Sequence, residues 1–449
     1  MFYLNGQRVV VAQPDLDETL LQFLRRTGLT GTKLGCGEGG CGACTVMVSR
    51  YAPETDSIEH AAVNACLCPV FAVDGKHVVT VEGLGTARAP HPVQQRIALL
   101  HGSQCGFCTP GFVMSLYVLL RNNPAPSERE IEECFDGNLC RCTGYRPILD
   151  AAKTFADLAW KPGAVVAEDG SARAPPPTAA AGGGGCGIKG CCRLQGTGGD
   201  GGFALPEPAA AAARAGGCCK GRGSAADTCC RGPAVAAENH ADVEKAQTIA
   251  QFQKYDPTQE LIFPPFLKRY ARGATSGDEP RLQALDLRSS SGDSWCRRAF
   301  RPVALAELLA VLAAHPDAKM VAGNSEVGVE IRLKRAKFPV QVFVNDIPEL
   351  RAVRETADGV SIGGNLPLAR LDAALARLVA AHGAQRTQSL AAMRENLRYF
   401  AGNQIRNVAT LAGNIATASP ISDLNPVLLA AGATVTLASQ AGGRRDVAM

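Results

Sequence analysis

No apolar run in this chain of 449 residues reaches the roughly 18 that a membrane-spanning helix needs, which excludes an ordinary helical span. Charge of one sign is also scarce. Lys and Arg number 46 against 42 Asp and Glu, and a formal +4 over this length gives no reason to expect nucleic acid or a membrane surface as partner. The N-terminus, MFYLNGQRVVV, alternates like a strand and lacks the charged and apolar regions of a secretory signal. There is no internal repeat. A secreted disulfide scaffold is small and rich in cysteine throughout. Here 18 cysteines sit in local groups of a long chain, which points to metal-bound thiolates in a reducing compartment, cytoplasmic or else peroxisomal. The length suits about three domains of ~150 residues each.

What the chain does have is eight cysteines in two tight sets. Cys36, Cys41 and Cys44 read C-x4-C-x2-C, with Cys66 or Cys68 as a fourth. That is the plant-type ferredoxin spacing, and four thiolates about one point meet the ligand demand of a 2Fe–2S cluster. Gly35, Gly37, Gly39, Gly40 and Gly42 interleave the first three cysteines, so the backbone can wrap closely and aim N–H groups at an anionic centre. Structural zinc is the competing reading, and zinc loops rarely need so many glycines. A strand expected over Ala65–Ala72 would carry Cys66 and Cys68 on opposite faces, so that one of them reaches the loop; spacing does not choose. The second set is Cys105 and Cys108 (C-x2-C) with Cys140 and Cys142 (C-x-C), a spacing that zinc also accepts. Each pair precedes a helix opened by proline, Pro110 or Pro147, and two helix N-termini converging on one centre favour an anionic cluster. Cys134 falls on an expected helix as a buried apolar residue.

Along the chain, Asn5-Gly6 between Phe2–Leu4 and Arg8–Val11 signals a hairpin. Asp17 is placed to cap a helix carrying Leu20, Leu21 and Leu24. Strands are expected over Thr45–Val48 and Lys76–Val81. Thr109-Pro110 should open a helix through Phe112–Leu120 as N-cap and first residue. Ser127 with Glu130 forms a capping box for a helix to about Phe135, and Pro147 starts one over Ile148–Ala159. Residues 161–254, dominated by Ala, Gly and Pro, read as a disordered linker. Its cysteines Cys186, Cys191, Cys192, Cys218, Cys219, Cys229 and Cys230 read as drift in an unstructured insert rather than a metal or redox site. Leu261–Pro265 is an extended lead-in. Beyond it the pattern alternates: helix Leu305–Ala314, strands Lys319–Val321, Gln341–Val344 and Gly359–Ile362, helix Leu366–His382. The basic stretch Arg332–Lys337 reads as a solvated edge. The loop Gly323-Asn324-Ser325-Glu326-Val327-Gly328 follows a strand, lacks the Gly-x-Gly-x-x-Gly pattern, and can offer N–H and O–H donors to a pyrophosphate; alone it would pass for an ordinary turn.

Four segments, GCGEGGCGACT (35–45), VNAC (63–66), GSQCGFCTPG (102–111) and GNLCRCTGYRP (137–147), together resemble the iron–sulfur region of molybdenum hydroxylases. DPTQELIFPP (256–265), VAGNSEVG (321–328) and GNIATASPISDLNP (413–426) resemble the FAD region of the eukaryotic-type xanthine dehydrogenase branch. The segments occur in the family's order and span nearly all of the chain outside the linker. Glu326 and Thr417–Ile421 resemble that branch more than aldehyde oxidases. The fold so implied is α+β: a β-grasp, plant-type ferredoxin-like domain (1–90), a helical 2Fe–2S domain (91–160), the linker (161–254), and an incomplete PCMH-type FAD-binding domain (255–449).

The resemblance assigns Cys36, Cys41, Cys44 and Cys66 to one 2Fe–2S cluster, choosing Cys66 over Cys68 as the cysteine of the Asn-Ala-Cys motif. It assigns Cys105, Cys108, Cys140 and Cys142 to a second. It implies that Met320, Val321, Ala322, Gly323, Asn324, Ser325, Glu326, Val327, Gly328, Ile362, Thr410, Leu411, Ala412, Gly413, Asn414, Thr417 and Asp423 hold FAD. In the family the second cluster lies nearer the molybdenum and the first nearer the flavin. The chain ends at Met449, where the family's FAD region continues, and the molybdopterin region would follow or sit on a partner subunit. The expectation is an electron-transfer front end, or the product of a truncated gene, within a homodimeric enzyme that hydroxylates hypoxanthine and xanthine and hands electrons to NAD or dioxygen. No residue here is expected to be a proton-transfer catalyst. An aldehyde oxidase-like fragment, a free-standing iron–sulfur redox carrier and a non-catalytic metal-binding scaffold, holding zinc, are the alternatives.

Overall fold

Asn5 and Gly6 turn the chain between strands β1 (Phe2–Leu4) and β2 (Gln7–Val9), both with positive φ, which matches the twist of the paired strands. The computed structural model to which they belong describes residues 1–156 apart from 13 and 54, then 248–249, 251–252, 255–271, 284–288, and 296–449 apart from 358. Nearly all of the expected linker, with its seven cysteines, lies outside the described residues.

β1 and β2 join β3 (Thr45–Ala52), β4 (Ser57–Asn64) and β5 (His77–Val79) in a five-stranded sheet of order β2-β1-β5-β3-β4, parallel at β1/β5 and antiparallel elsewhere. Helix α1 (Leu20–Arg26) lays Leu20, Leu21 and Leu24 on it, against Phe2, Val46, Val63 and Val78. Burying each leucine contributes about 1.5–3 kcal/mol. The helix cap differs from expectation: Thr19, not Asp17, forms a capping box with Gln22. A second difference concerns 65–72. The strand comes earlier, as β4, and Ala65–Pro69 is a turn leading into a 3-10 helix over Val70–Val73. Residues two apart in a strand share a face, so a strand could not have separated Cys66 from Cys68; the turn does.

The helical region contains α2 (Pro92–Leu99), α3 (Thr109–Asn122), α4 (Glu128–Cys134) and α5 (Arg146–Lys153). Helix α3 is apolar nearly all round because it is buried on two sides. Phe112, Val113, Leu116 and Leu120 meet Ile97, Ile131 and Ile148 of the other helices, while Met114, Tyr117 and Val118 meet Met47, Ala62 and Val79 of the sheet. Its N-cap is Cys108, one residue earlier than expected. The Ser127–Glu130 capping box is present. Helix α5 ends at Lys153, short of the expected Ala159. Ile249 and Phe252, within the expected linker, pack on this helical core with Tyr255.

The rest begins with α6 (Pro265–Ala271). Strands β6 (Ala284–Arg288), β7 (Cys296–Phe300), β8 (Lys319–Val321) and β9 (Val340–Phe343) form a sheet of order β6-β7-β9-β8, parallel at β7/β9 and β8/β9. Helix α7 (Leu305–Ala314) covers it, and α8 (Val327–Arg332) follows β8. A β-hairpin, β10 (Val353–Thr356) with β11 (Gly359–Ile362), then leads to α9 (Leu368–His382) and α10 (Gln388–Tyr399). Leu368, Leu371, Leu375 and Leu378 recur at helical spacing on α9 and meet Met393 and Leu397 of α10. Short helices α11 (Asn403–Arg406), α12 (Leu411–Thr417) and α13 (Asn425–Ala430) precede the ribbon β12 (Thr434–Ser439) and β13 (Gly443–Ala448).

Candidate cluster and flavin sites

The first set of thiols sits where the glycine loop meets the end of β4. Cys44 and Cys66 are buried, Cys41 is half-buried and Cys36 is exposed. They are arranged as two pairs. The Cys36 N–H donates to Cys41 Sγ at 3.3 Å, and the Glu38 N–H donates to Cys36 Sγ at the same distance. Cys44 Sγ donates to Asn64 Oδ1 at 3.6 Å and interacts with Cys66 and Cys41. The Cys44 thiol holds the Cys66 thiol below its ordinary value, and the same interaction together with burial pushes Cys44 well up. Burial raises Cys36, but the Glu38 and Cys41 N–H groups outweigh it and leave the thiol lowered. Cys68 points elsewhere: its sulfur lies 3.6 Å from the Pro69 carbonyl, and burial pushes it up to about 11.

The second set shows the same pairing. The Cys105 and Cys142 sulfurs lie 3.5 Å apart, and Cys108 interacts with Cys140. Thr143 serves Cys140 with its N–H at 3.5 Å and its hydroxyl at 3.1 Å; these overcome burial and lower that thiol. Burial and the Cys140 contact push Cys108 up to about 12. The Tyr145 hydroxyl accepts from the Cys140 N–H at 3.1 Å. Cys134, as expected, is buried in the helical core. In a 2Fe–2S cluster with four thiolate ligands each iron takes two, so thiols in pairs with N–H donors aimed at them fit that group.

The two sets share a seam. The Leu139 N–H donates to the Cys41 carbonyl at 3.0 Å, and Asn138 Nδ2 donates to the Gly42 carbonyl at 3.3 Å. Gly42 has φ +67, and a Cβ there would overlap the Gly137 carbonyl, so only glycine allows this approach.

The expected flavin residues also come together. After β8 carries Met320 and Val321, the loop Ala322–Glu326 turns at Asn324 (φ +57) into α8, which begins at Val327 and Gly328. Gly323 lies flat against the Val408–Ala409 backbone, and the Ala322 carbonyl accepts from Asn345 Nδ2 at 2.9 Å. Thr410 caps α12 by accepting from the Gly413 N–H at 3.2 Å. The Ala412 N–H donates to the Gly364 carbonyl at 2.8 Å, which brings the end of the hairpin at Ile362 alongside. Leu411 and Ile362 belong to one apolar core. Asn414 Oδ1 accepts from the Ser422 hydroxyl at 2.9 Å, and the Thr417 hydroxyl donates to the Gly413 carbonyl. Asp423 is exposed beside them.

Three protein-family models match in this order: "2Fe-2S iron-sulfur cluster binding domain" over residues 2–71, "[2Fe-2S] binding domain" over 80–153, and "FAD binding domain in molybdopterin dehydrogenase" over 294–449. Among curated proteins, the xanthine dehydrogenase of Emericella nidulans is 43% identical over 438 residues, covering 98% of this chain and 28% of the relative. That of Blastobotrys adeninivorans is 44% identical over 464 residues, covering 100% and 30%. The chain is homologous to part of the xanthine dehydrogenases. The xanthine dehydrogenase/oxidase of Rattus norvegicus is 42% identical, again with 28% of its length covered, so the chain spans less than a third of these relatives. Among solved structures, quinoline 2-oxidoreductase from Pseudomonas putida 86 is 38% identical with a TM-score of 0.29, covering 34% of this chain and 87% of that one. Aldehyde oxidoreductase from Desulfovibrio gigas is 39% identical with a TM-score of 0.30, covering 34% and 16%.

This xanthine dehydrogenase homologue thus carries two 2Fe–2S domains and an FAD-binding domain. Two residues that connect them have no local sequence signal. Arg332, expected on a solvated edge, instead donates Nη1 to the Gly37 carbonyl at 2.8 Å. Gln404 is fully buried and donates Nε2 to Thr45 Oγ1, Ser115 Oγ and Asn138 Oδ1 at 3.1, 3.2 and 2.9 Å. One amide of the flavin region therefore touches both cysteine domains. Among the described residues no helix is long and apolar enough to cross a membrane.

Proposed function

We propose that this chain is the electron-transfer portion of a xanthine dehydrogenase-like molybdenum hydroxylase. Hypoxanthine and xanthine are oxidised at a molybdopterin site on a further domain or partner subunit, and NAD or dioxygen is the final acceptor. In this reading domains 1–90 and 91–160 hold the clusters through the eight cysteines named above, and domain 255–449 holds FAD. When bound, the clusters supply one-electron carriers and the flavin supplies the exchange between one-electron and two-electron steps. The enzyme is expected to be a cytoplasmic homodimer.

The carrying observation is the seam. A single hydrogen bond, from the Leu139 N–H to the Cys41 carbonyl, links a residue of the first cysteine set to the neighbour of Cys140 in the second. The protein's task at this point is to fix two cofactor loops against each other and to keep water out, and the buried Gln404, Ser115 and Asn138 do both. The outer ends also differ in a way that gives the route a direction. The flavin-side segment covers the first loop, whereas Cys105 and Cys142 are open, rimmed by the exposed side chains of Phe107, Leu139 and Tyr145. That open apolar rim is the side a molybdopterin domain would cover.

The test is iron, labile sulfide and flavin content of anaerobically purified protein, with EPR after dithionite reduction. About four irons and four sulfides per chain, two of each per cluster, with two distinct EPR signals, are expected. Zinc without labile sulfide would sink the reading.

A further inference from the structure

The segment that carries the candidate flavin loop grips the first cysteine loop at two points. At its start, Asn324 Nδ2 donates to the Leu67 carbonyl at 2.8 Å, one residue past Cys66. At its end, Arg332 Nη1 donates to the Gly37 carbonyl at 2.8 Å, one residue past Cys36. The guanidinium lies so close over Gly37 that a Cβ there would overlap it, and Gly37 has φ +72, so the loop is shaped to receive this group. The next residue, Glu38, sends its N–H to Cys36 Sγ. Among the described residues Arg332 makes no ion pair; Glu330, the acid nearest it in sequence, is engaged by Lys319 at 2.8 Å, and Glu326 by Lys334 at 3.5 Å.

We propose that Arg332 is a positioning residue for the first cluster, raising its reduction potential with a fixed positive charge while tying its loop to the flavin loop. The inference rests on the reading that Cys36, Cys41, Cys44 and Cys66 hold a 2Fe–2S cluster. A thiolate-ligated cluster gains one negative charge on reduction, and a nearby cation stabilises the more negative state. The positive charge here comes from the flavin region, so the first cluster reaches its working potential only when that region is docked.

The test is an EPR-monitored redox titration of the cluster-loaded chain, comparing wild type with Arg332→Gln and Arg332→Lys. Glutamine keeps a donor for the Gly37 carbonyl and removes the charge, so the loop stays in place. Arg332→Gln should lower the first midpoint potential by about 59 mV, a tenfold change in the one-electron reduction equilibrium, and leave the second unmoved. Arg332→Lys should shift the equilibrium less than about threefold. A wild-type first midpoint in Arg332→Gln, an equal shift of both midpoints, or loss of the first signal in the lysine variant as well as the glutamine one would overturn the proposal. A wild type without two cluster signals would instead refute the assignment of the cysteines.

Discussion

The two cysteine sets have the same chemistry and each mixes buried and exposed thiols, Cys36 being exposed in the first and Cys140 buried in the second, but they differ in what covers them. In the first, Cys44 and Cys66 are 3% and 1% exposed, and the loop is covered by Arg332, Asn324 and Ile405 from the flavin region. In the second, Cys105 and Cys142 are exposed and their apolar neighbours Phe107 and Leu139 are 47% and 57% exposed. A sheet strand, a glycine loop and another domain enclose the first site; two loops ahead of helices hold the second at the surface. Within this chain the first site is covered by the flavin-side segment, and the second leaves two thiols and an apolar rim open.

Removing ligands breaks the comparison most completely. Cys44→Ser should abolish the first EPR signal and halve the iron while the second persists, and Cys105→Ser should do the reverse. Because Cys44 is buried in the sheet core, its variant should also melt lower than that of Cys105, which thermal unfolding would reveal. Next comes the seam. Gly42→Ala forces a side chain onto φ +67 and into the Gly137 carbonyl, which costs about 1–3 kcal/mol in backbone strain before the clash is added. Denaturant unfolding should show that loss, with weakened spin coupling between the two signals; unchanged stability would mean the seam is not tight. Gln404→Leu is milder. It removes one donor shared by three buried oxygens, with an expected loss of about 1–3 kcal/mol, and proteolysis of the flavin region should then quicken relative to the cysteine domains.

Acid also acts on the first region. Burial, with the charge of Arg121, lowers His60 and His77 to about 4, and His77 Nε2 accepts from the Gly6 N–H, which requires that nitrogen to be unprotonated. Both imidazoles are held neutral in the fold, while the unfolded chain takes up protons near the ordinary value of 6.5. Stability should therefore be full above about pH 6.5 and decline toward pH 4, by up to about 1.4 kcal/mol per pH unit for each histidine. Replacing His60 with glutamine should flatten the pH profile of unfolding; an unchanged slope would assign the acid sensitivity elsewhere.

What could be read from the sequence was what is local. The Asn5-Gly6 turn, the Ser127–Glu130 box, helix Leu305–Ala314 and strand Lys319–Val321 all follow from neighbours a few residues apart, and the structure has them. The short spacings marked Cys36, Cys41, Cys44, Cys105, Cys108, Cys140 and Cys142 as sets, while Cys66 was chosen over Cys68 only by the resemblance. Misreadings occurred where a local rule had two candidates. Asp17 and Thr19 are both capping residues, and the reach of Gln22 decides for Thr19. The apolar run over 65–72 has strand composition, but it turns because Cys66 must meet Cys44. Arg332 and Gln404 could not be read at all. Their partners lie 295 and up to 359 residues away in sequence, and nothing in a basic stretch or a lone glutamine marks which of them will be buried.

The Gln404 contact also sets an order in time. A chain made from its N-terminus completes the last cluster cysteine, Cys142, long before residue 404 emerges, and at about 5–20 residues per second that interval is roughly 10–50 seconds. During it the cysteine domains can fold while their common seam still lacks its third side. The late segment then supplies that side by closing over Thr45, Ser115 and Asn138.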